Sequence, residues 1–113
     1  MDMEDRLSLQ LSALADPTRR AIIARLALGE ASVAELRKPF AISQPAISKH
    51  LKVLETAGLI EAGQDGPSRP RRLRIDALAG TADWLAHVRG LWSGSFGRLD
   101  ALLESTKPEE DAP

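Results

Sequence analysis

The residues best suited to chemistry form the stretch SQPAISKHLK, which begins at Ser43. Ser43 can cap a helix, and Pro45 suits the first turn because its missing N–H would have no partner there. At about 100° per residue, Ile47, Leu51 and Leu54 share one apolar face of that helix. The opposite face carries amide, hydroxyl and ammonium groups beside a proline, on Gln44, Pro45, Ser48, Lys49 and Lys52. A face with this composition can hydrogen-bond to a polyanion.

A shorter helix is predicted just ahead of this one. Ser32 and Glu35 form a capping box, in which each side chain accepts from the other residue's backbone N–H, and Pro39 ends the helix. A short helix, a tight turn and a helix with a cationic N-terminal face are typical of a helix-turn-helix, whose second helix enters the DNA major groove. The residues predicted to contact DNA from this helix are Ser43, Gln44, Pro45, Ser48, Lys49, His50 and Lys52.

A second cationic segment follows. Residues 59–64 are predicted to form a strand, residues 65–68 a turn, and residues 69–75 a returning strand. The arginines on or beside this hairpin are Arg69, Arg71, Arg72 and Arg74. A hairpin beside a recognition helix is a wing, and its arginines can bind phosphate or enter the minor groove. The alternative is an edge strand that its charges protect from pairing with other strands.

The charge distribution favours a polyanion partner for the middle of the chain. The net charge is −1, but residues 37–74 carry eight Lys or Arg and three acids, a balance of +5. Residues 1–36 have a balance of −2 and residues 75–113 one of −4. Chance clustering on a solvated surface is the alternative reading of this pattern.

Length and composition set the bounds. The chain has 113 residues, 43% of them apolar and 27% charged, which is typical of one globular domain. It lacks cysteine, so disulfides and thiolate metal sites are excluded. The sequence shows neither an apolar run of membrane-spanning length nor a secretory signal at its acidic start, which predicts a cytoplasmic protein without a membrane partner.

The remaining pattern is helical. We expect a first helix over residues 5–15 and a second that starts at Asp16-Pro17 and ends at Gly29. Thr81 is expected to cap a terminal helix that runs to about residue 105. The predicted fold is therefore mainly α with a small β-hairpin and about five helices, a winged helix-turn-helix domain over residues 1–105. Residues 106–113 are expected to form a disordered acidic tail.

The terminal helices are predicted to form a dimer interface. Gly90, Gly94 and Gly97 each cost about 1 kcal/mol relative to Ala inside a helix, so the last helix needs support from another one. The apolar residues assigned to this interface are Leu7, Leu11, Trp84, Val88, Leu91, Trp92, Leu99 and Leu102. The alternative is that the two tryptophans cover the core of their own monomer.

The stretch LADPTRRAIIARLALGEASVAELRKPFAISQPAISKHLKVLETAGLIEAG resembles the winged helix-turn-helix of ArsR-type, arsenic-repressor-like transcriptional regulators. The resemblance covers roughly residues 9–103 and is most specific in the recognition helix. It implies a homodimeric repressor that binds double-stranded DNA and releases its operator in response to a signal. The sequence does not identify the inducing signal.

The chain departs from that family in two places. Metal-sensing members carry a cysteine motif on the third helix, where this chain has the thiol-free segment Ser32–Leu36. Asp83 and His87 are a candidate ligand pair at i, i+4, but a second histidine is missing, so we expect neither a metal site nor a cofactor. The wing positions Arg71 and Arg72 are often aromatic in the family.

Catalysis is not expected. His50 and His87 are the only histidines, and no nucleophile with a positioned base, phosphate loop or paired-carboxylate motif stands out. The rival to a DNA-binding regulator is a winged helix kept as a protein-interaction or dimerisation adaptor. Lys49, Lys52 and the wing arginines argue against that rival.

Overall fold

The computed structural model describes residues 3–63 and 69–106, with the side chains of residues 4–63 and 69–94. The described part of the chain forms five helices and a two-stranded antiparallel sheet. In chain order the elements are α1 (Met3–Ala13), α2 (Pro17–Leu26), α3 (Val33–Arg37), α4 (Gln44–Thr56), β1 (Ile60–Ala62), β2 (Arg71–Leu73) and α5 (Ile75–Thr106). The predicted fold class, mainly α with a small hairpin, is confirmed.

Local capping chemistry fixes where three of the helices begin. Asp16 caps α2 by accepting from the backbone N–H of Arg19 at 3.0 Å. The predicted capping box of α3 is present, with Ser32 and Glu35 closing each other's backbone N–H groups. Ser43 caps α4 by accepting from the backbone N–H of Ala46, as its position predicted. These caps satisfy N–H groups that lack a partner inside their own helix.

The core lies where α2, α3, α4 and β1 meet. The predicted apolar face of α4 is confirmed, because Ile47, Leu51 and Leu54 are at most 1% exposed. The other large, fully buried side chains are Ile22, Leu36, Leu59 and Thr81. Burial of this kind contributes about 1.5–3 kcal/mol per large apolar side chain, so it anchors α4 with its other face outward.

The hairpin is shorter than predicted. Its register pairs Ile60 with Leu73 and Ala62 with Arg71, so the ladder covers three residues on each strand. Ahead of it, Gly58 takes a positive φ of 77° and turns the chain from α4 into β1. The predicted turn at residues 65–68 lies outside the described residues.

The predicted start of the terminal helix is wrong. Thr81 lies inside α5, which begins at Ile75 directly after the wing. Its side chain is buried, and its hydroxyl donates to the side-chain carbonyl of Gln10. A threonine oxygen resembles a cap in the sequence, but here its partner lies 71 residues away. Helix α1 also begins and ends two residues earlier than expected.

The chain divides into two compact units at Thr81. The first unit carries α1 to α4, the hairpin and the start of α5, and the second carries the rest of α5. Thr106 is the last described residue of α5, and the rest of the predicted acidic tail lies outside the described residues. Among the helices described, none has the length and apolar character needed to cross a membrane.

Candidate nucleic-acid interface

The outer face of α4 is built as the sequence predicted. The side chains of Gln44, Pro45, Ser48, Lys49 and Lys52 are all exposed, opposite the buried apolar face. Ser43 is exposed as well, but its hydroxyl already accepts from the backbone N–H of Ala46 at 3.2 Å. Ser43 therefore acts first as the helix cap.

The electrostatics of this face favour an anion. The first turn of α4 carries no acidic residue. The unpaired N–H groups at a helix N-terminus give it a partial positive charge, which adds to the ammonium groups of Lys49 and Lys52. A DNA backbone supplies the matching negative charge along its whole length.

Two further cations border the start of α4. Arg37 and Lys38, which end α3, are exposed and line a shallow surface depression with Ser43 and Gln44. Arg37 donates through Nε to the carbonyl of Ile42 at 2.9 Å, which ties the turn to α3. Sequence reasoning did not select these two residues, although they lie in the basic middle segment.

His50 is turned toward the protein. Its Nδ1 lies 3.2 Å from Nη1 of Arg19 and 3.9 Å from a carboxylate oxygen of Asp16. Arg19 also donates through Nε to the carbonyl of Ala13 at 2.6 Å. The predicted DNA-contact residue His50 thus packs α4 against the junction of α1 and α2. The backbone N–H of Arg19, with smaller contributions from the charges of His50 and Arg19, holds the pKa of Asp16 below its usual value.

Three of the four wing arginines have acidic partners within the protein. Nε of Arg71 lies 2.6 Å from Glu55, and Nε of Arg72 lies 2.7 Å from Glu61. Arg74 pairs with Asp76 across 3.2 Å. The sequence predicted all four wing arginines to be surface cations. It could not predict their acidic partners, because the pairing of a strand residue with a helix residue depends on the tertiary fold.

Among the wing arginines, Arg69 and Arg71 differ in the exposure of their side chains. Arg69 is exposed and has a φ of 34°, the one positive value among non-glycine residues in the part of the chain that the structure describes. The side chain of Arg71 is only 15% exposed. Arg69 is therefore placed to meet an external anion, whereas Arg71 is held inside the fold.

The candidate metal-ligand pair Asp83 and His87 lies in α5. Among the side chains that the structure describes, those of residues 4–63 and 69–94, no group of three or more His, Asp or Glu could hold a metal ion.

An exposed recognition helix whose first turn carries no acidic residue, beside a hairpin, defines a winged helix-turn-helix protein of the DNA-binding class. The helix-turn-helix domain family matches residues 14–62. The chain is 52% identical over 93 residues to HTH-type transcriptional regulator Rv2034 of Mycobacterium tuberculosis, covering 82% of this chain and 84% of that protein. It is 33% identical over 73 residues to the transcriptional repressor SdpR of Bacillus subtilis, covering 65% and 81%.

Similar solved structures support the same class of protein. The crystal structure of an ArsR family transcriptional regulator matches with a TM-score of 0.71 at 39% identity, covering 78% of this chain and 97% of that one. The homodimeric winged helix-turn-helix domain of Mb0332 from Mycobacterium bovis matches with a TM-score of 0.62 at 25% identity, covering 96% and 91%. The chain belongs to the ArsR family of helix-turn-helix transcriptional regulators, as the sequence resemblance indicated.

Proposed function

We propose that this regulator is a homodimeric repressor that binds an inverted-repeat operator in double-stranded DNA through α4 and the wing. One observation carries the proposal. The polar and cationic face of α4 is exposed, while its apolar face is anchored in the core. A helix held in this way can enter the major groove without rearranging the domain.

The exposed side chains suggest a division of labour. Gln44 and Ser48 lie near the N-terminus of α4, where side chains of a recognition helix reach base edges, and an amide can bond both N6 and N7 of adenine. Lys49, Lys52 and Arg69 have the charge and exposure to bind phosphates, which position the protein without reading sequence. Pro45 offers an apolar contact. Arg72 and Arg74 can add phosphate contacts if DNA competes with their acidic partners.

The dimer is proposed from the second unit. Its helix exposes a set of large apolar side chains at helical spacing, Trp84, Leu85, Val88, Leu91 and Trp92. Trp84 is 42% exposed and Trp92 is 65% exposed, so each offers apolar surface to a second copy. Exposed apolar patches of this kind mark interaction surfaces. The homodimeric state of the Mb0332 domain supports a second copy as the occupant.

The first helix would complete that interface. Leu7 and Leu11 are partly exposed on α1 and can meet the terminal helices of the second copy. The assigned residues Leu99 and Leu102 belong to α5, but their side chains lie outside the described ones. An inverted repeat follows from a two-fold dimer, because each half-site then meets an identical recognition helix.

A regulator of this kind acts on chromosomal DNA, so we place it in the cytoplasm and assign it no enzymatic activity. The membership of a family of transcriptional regulators supports both assignments.

A gel shift on DNA from the region upstream of the protein's own gene tests the proposal. Specific binding should weaken steeply with salt, with a log–log slope of about −0.9 for each phosphate contact. Gln44→Ala and Lys52→Ala should each weaken the shift. A protein that binds no DNA at low salt, yet forms stable dimers, would support the adaptor instead.

A further inference from the structure

Arg71 occupies an unusual position for a wing arginine. It is the first residue of β2, and its side chain packs against α4 instead of extending into solvent. Its Nε donates to Oε2 of Glu55, which lies in the last turn of α4. The ion pair therefore joins the wing directly to the helix that reads DNA.

The backbone of Arg71 is fixed as firmly as its side chain. Its N–H donates to the carbonyl of Ala31 at 2.8 Å, and the N–H of Ala31 donates back to the carbonyl of Arg71 at 3.1 Å. Ala31 directly precedes Ser32, the cap of α3. One residue of the wing is thus bonded to the segment that starts α3 and to the end of α4, the two helices of the helix-turn-helix.

Arg71 also holds the residue that faces outward. Its Nη1 donates to the backbone carbonyl of Arg69. Arg69 adopts a positive φ, which L-residues other than Asn, Asp and His rarely take, so surrounding contacts must maintain it. This bond gives Arg69 a fixed backbone from which its exposed side chain projects.

The other wing pairs do not connect the wing to α4. Arg72 and Glu61 face each other across β1 and β2, with side chains 57% and 43% exposed. Arg74 pairs with a residue two positions further along the chain. Within the described residues, Arg71–Glu55 is the ion pair that spans from the hairpin to the recognition helix.

We propose that Arg71 is a positioning residue and not a DNA contact: with Glu55 it sets the wing against α4 and presents Arg69 to the DNA backbone or minor groove. The inference rests on the proposed operator binding. The ion pair connects the wing to α4 by charge and hydrogen bonding, in addition to the apolar packing of Ile60 and Leu73 against the core.

The two roles of Arg71 predict opposite effects of Glu55→Gln on operator binding. If Arg71 bound phosphate, removing its acidic competitor would tighten the complex. If Arg71 positions the wing, losing the charged partner should weaken the complex by about tenfold, which is within the range for coupled neighbours. Glu61→Gln is the matched control, because it removes the same charge beside Arg72 and should not weaken binding.

A charge exchange sharpens the test. Glu55→Arg and Arg71→Glu should each weaken binding, and the double variant should recover most of the loss because it rebuilds the pair in reverse. A glutamate at a phosphate contact would repel DNA, so failure of the double variant to recover would overturn the positioning role. Arg71→Lys keeps the charge but loses the planar guanidinium, and should behave like Glu55→Gln.

A measurement without DNA separates positioning from contact. In Glu55→Gln, the backbone amides of Arg71 and Ala31 should exchange with solvent faster than in the parent protein, since the wing loses one anchor. Tighter or unchanged DNA binding by Glu55→Gln would overturn this inference alone. Absence of any operator binding by the parent protein would instead overturn the proposed function.

Discussion

Single side chains on α4 divide into those that can read sequence and those that can only attract DNA. Gln44→Ala should relax sequence preference, because a bidentate amide–adenine contact discriminates by about 1–3 kcal/mol. Lys52→Ala, on the same exposed face, should weaken every sequence alike and make the salt dependence shallower. Competition binding with single-base operator variants compares the two. Unchanged preference in Gln44→Ala would show that this residue does not read a base.

The capping carboxylates make the fold sensitive to acid. Backbone N–H bonds hold the pKa of Asp16 and of Glu35 below their usual values. A depressed folded-state pKa contributes stability that is present above the unfolded value and lost as pH falls through the folded one. We therefore expect the free energy of unfolding to fall below about pH 5.

Asp16→Asn isolates one of these groups. Asparagine keeps a capping oxygen but cannot titrate, so this variant should lose stability less steeply on the acid side than the parent protein. Urea unfolding at a series of pH values measures both slopes. Equal slopes would mean that Asp16 titrates alike in the folded and unfolded chains.

At the scale of elements, the sequence predicted what depends on near neighbours. The caps at Ser32 and Ser43 and the apolar face of α4 follow from residues three or four positions apart, and all three are confirmed. The predicted start of α5 at Thr81 was wrong, because the hydroxyl of Thr81 bonds to Gln10 on α1 and does not cap a helix. The partners of the wing arginines were not foreseen either, because Glu55 and Arg71 meet only when the hairpin folds back on α4.

The contact between Gln10 and Thr81 gives an element-scale prediction. Gln10 is buried, and its amide also reaches the carbonyl of Ala57 at 3.5 Å. Thr81→Val removes the hydroxyl donor and leaves the Gln10 carbonyl oxygen without it, which should cost about 1–3 kcal/mol of unfolding free energy. Chemical denaturation measures the loss.

Two further variants control that result. Thr56→Val makes the same change at an exposed site and should have little effect. Gln10→Leu combined with Thr81→Val removes both polar partners, so its cost should be smaller than the sum of the single costs. Additive losses would indicate that the two side chains are not coupled.

For the whole molecule, affinity and specificity depend on how many recognition helices meet the DNA at once. A single helix-turn-helix covers few base pairs, whereas a two-fold dimer presents two recognition helices to successive major grooves about 34 Å apart. The proposed dimer surface and the proposed reading surface lie on different helices, α5 and α4. Substitutions should therefore separate assembly from recognition.

Trp92→Ala tests that separation. A buried tryptophan at an interface typically contributes 2 kcal/mol or more, so the dimer dissociation constant should rise by at least about 30-fold. Leu28→Ala is the control, because Leu28 is 85% exposed and lies outside the proposed interface. Sedimentation should then show a dimer for the parent protein, Leu28→Ala and Lys52→Ala, and mostly monomer for Trp92→Ala at the same concentration.

Binding to the operator should show the same separation of assembly from recognition. Trp92→Ala should lose binding to an inverted repeat while keeping weak binding to one half-site, since its α4 is untouched. Inserting about five base pairs between the half-sites turns them to opposite sides of the duplex. This insertion should weaken operator binding by the parent protein as strongly as Trp92→Ala weakens binding to the intact repeat. If Trp92→Ala is monomeric yet binds the intact repeat as tightly as the parent protein, a single recognition helix suffices and the dimeric repressor is wrong.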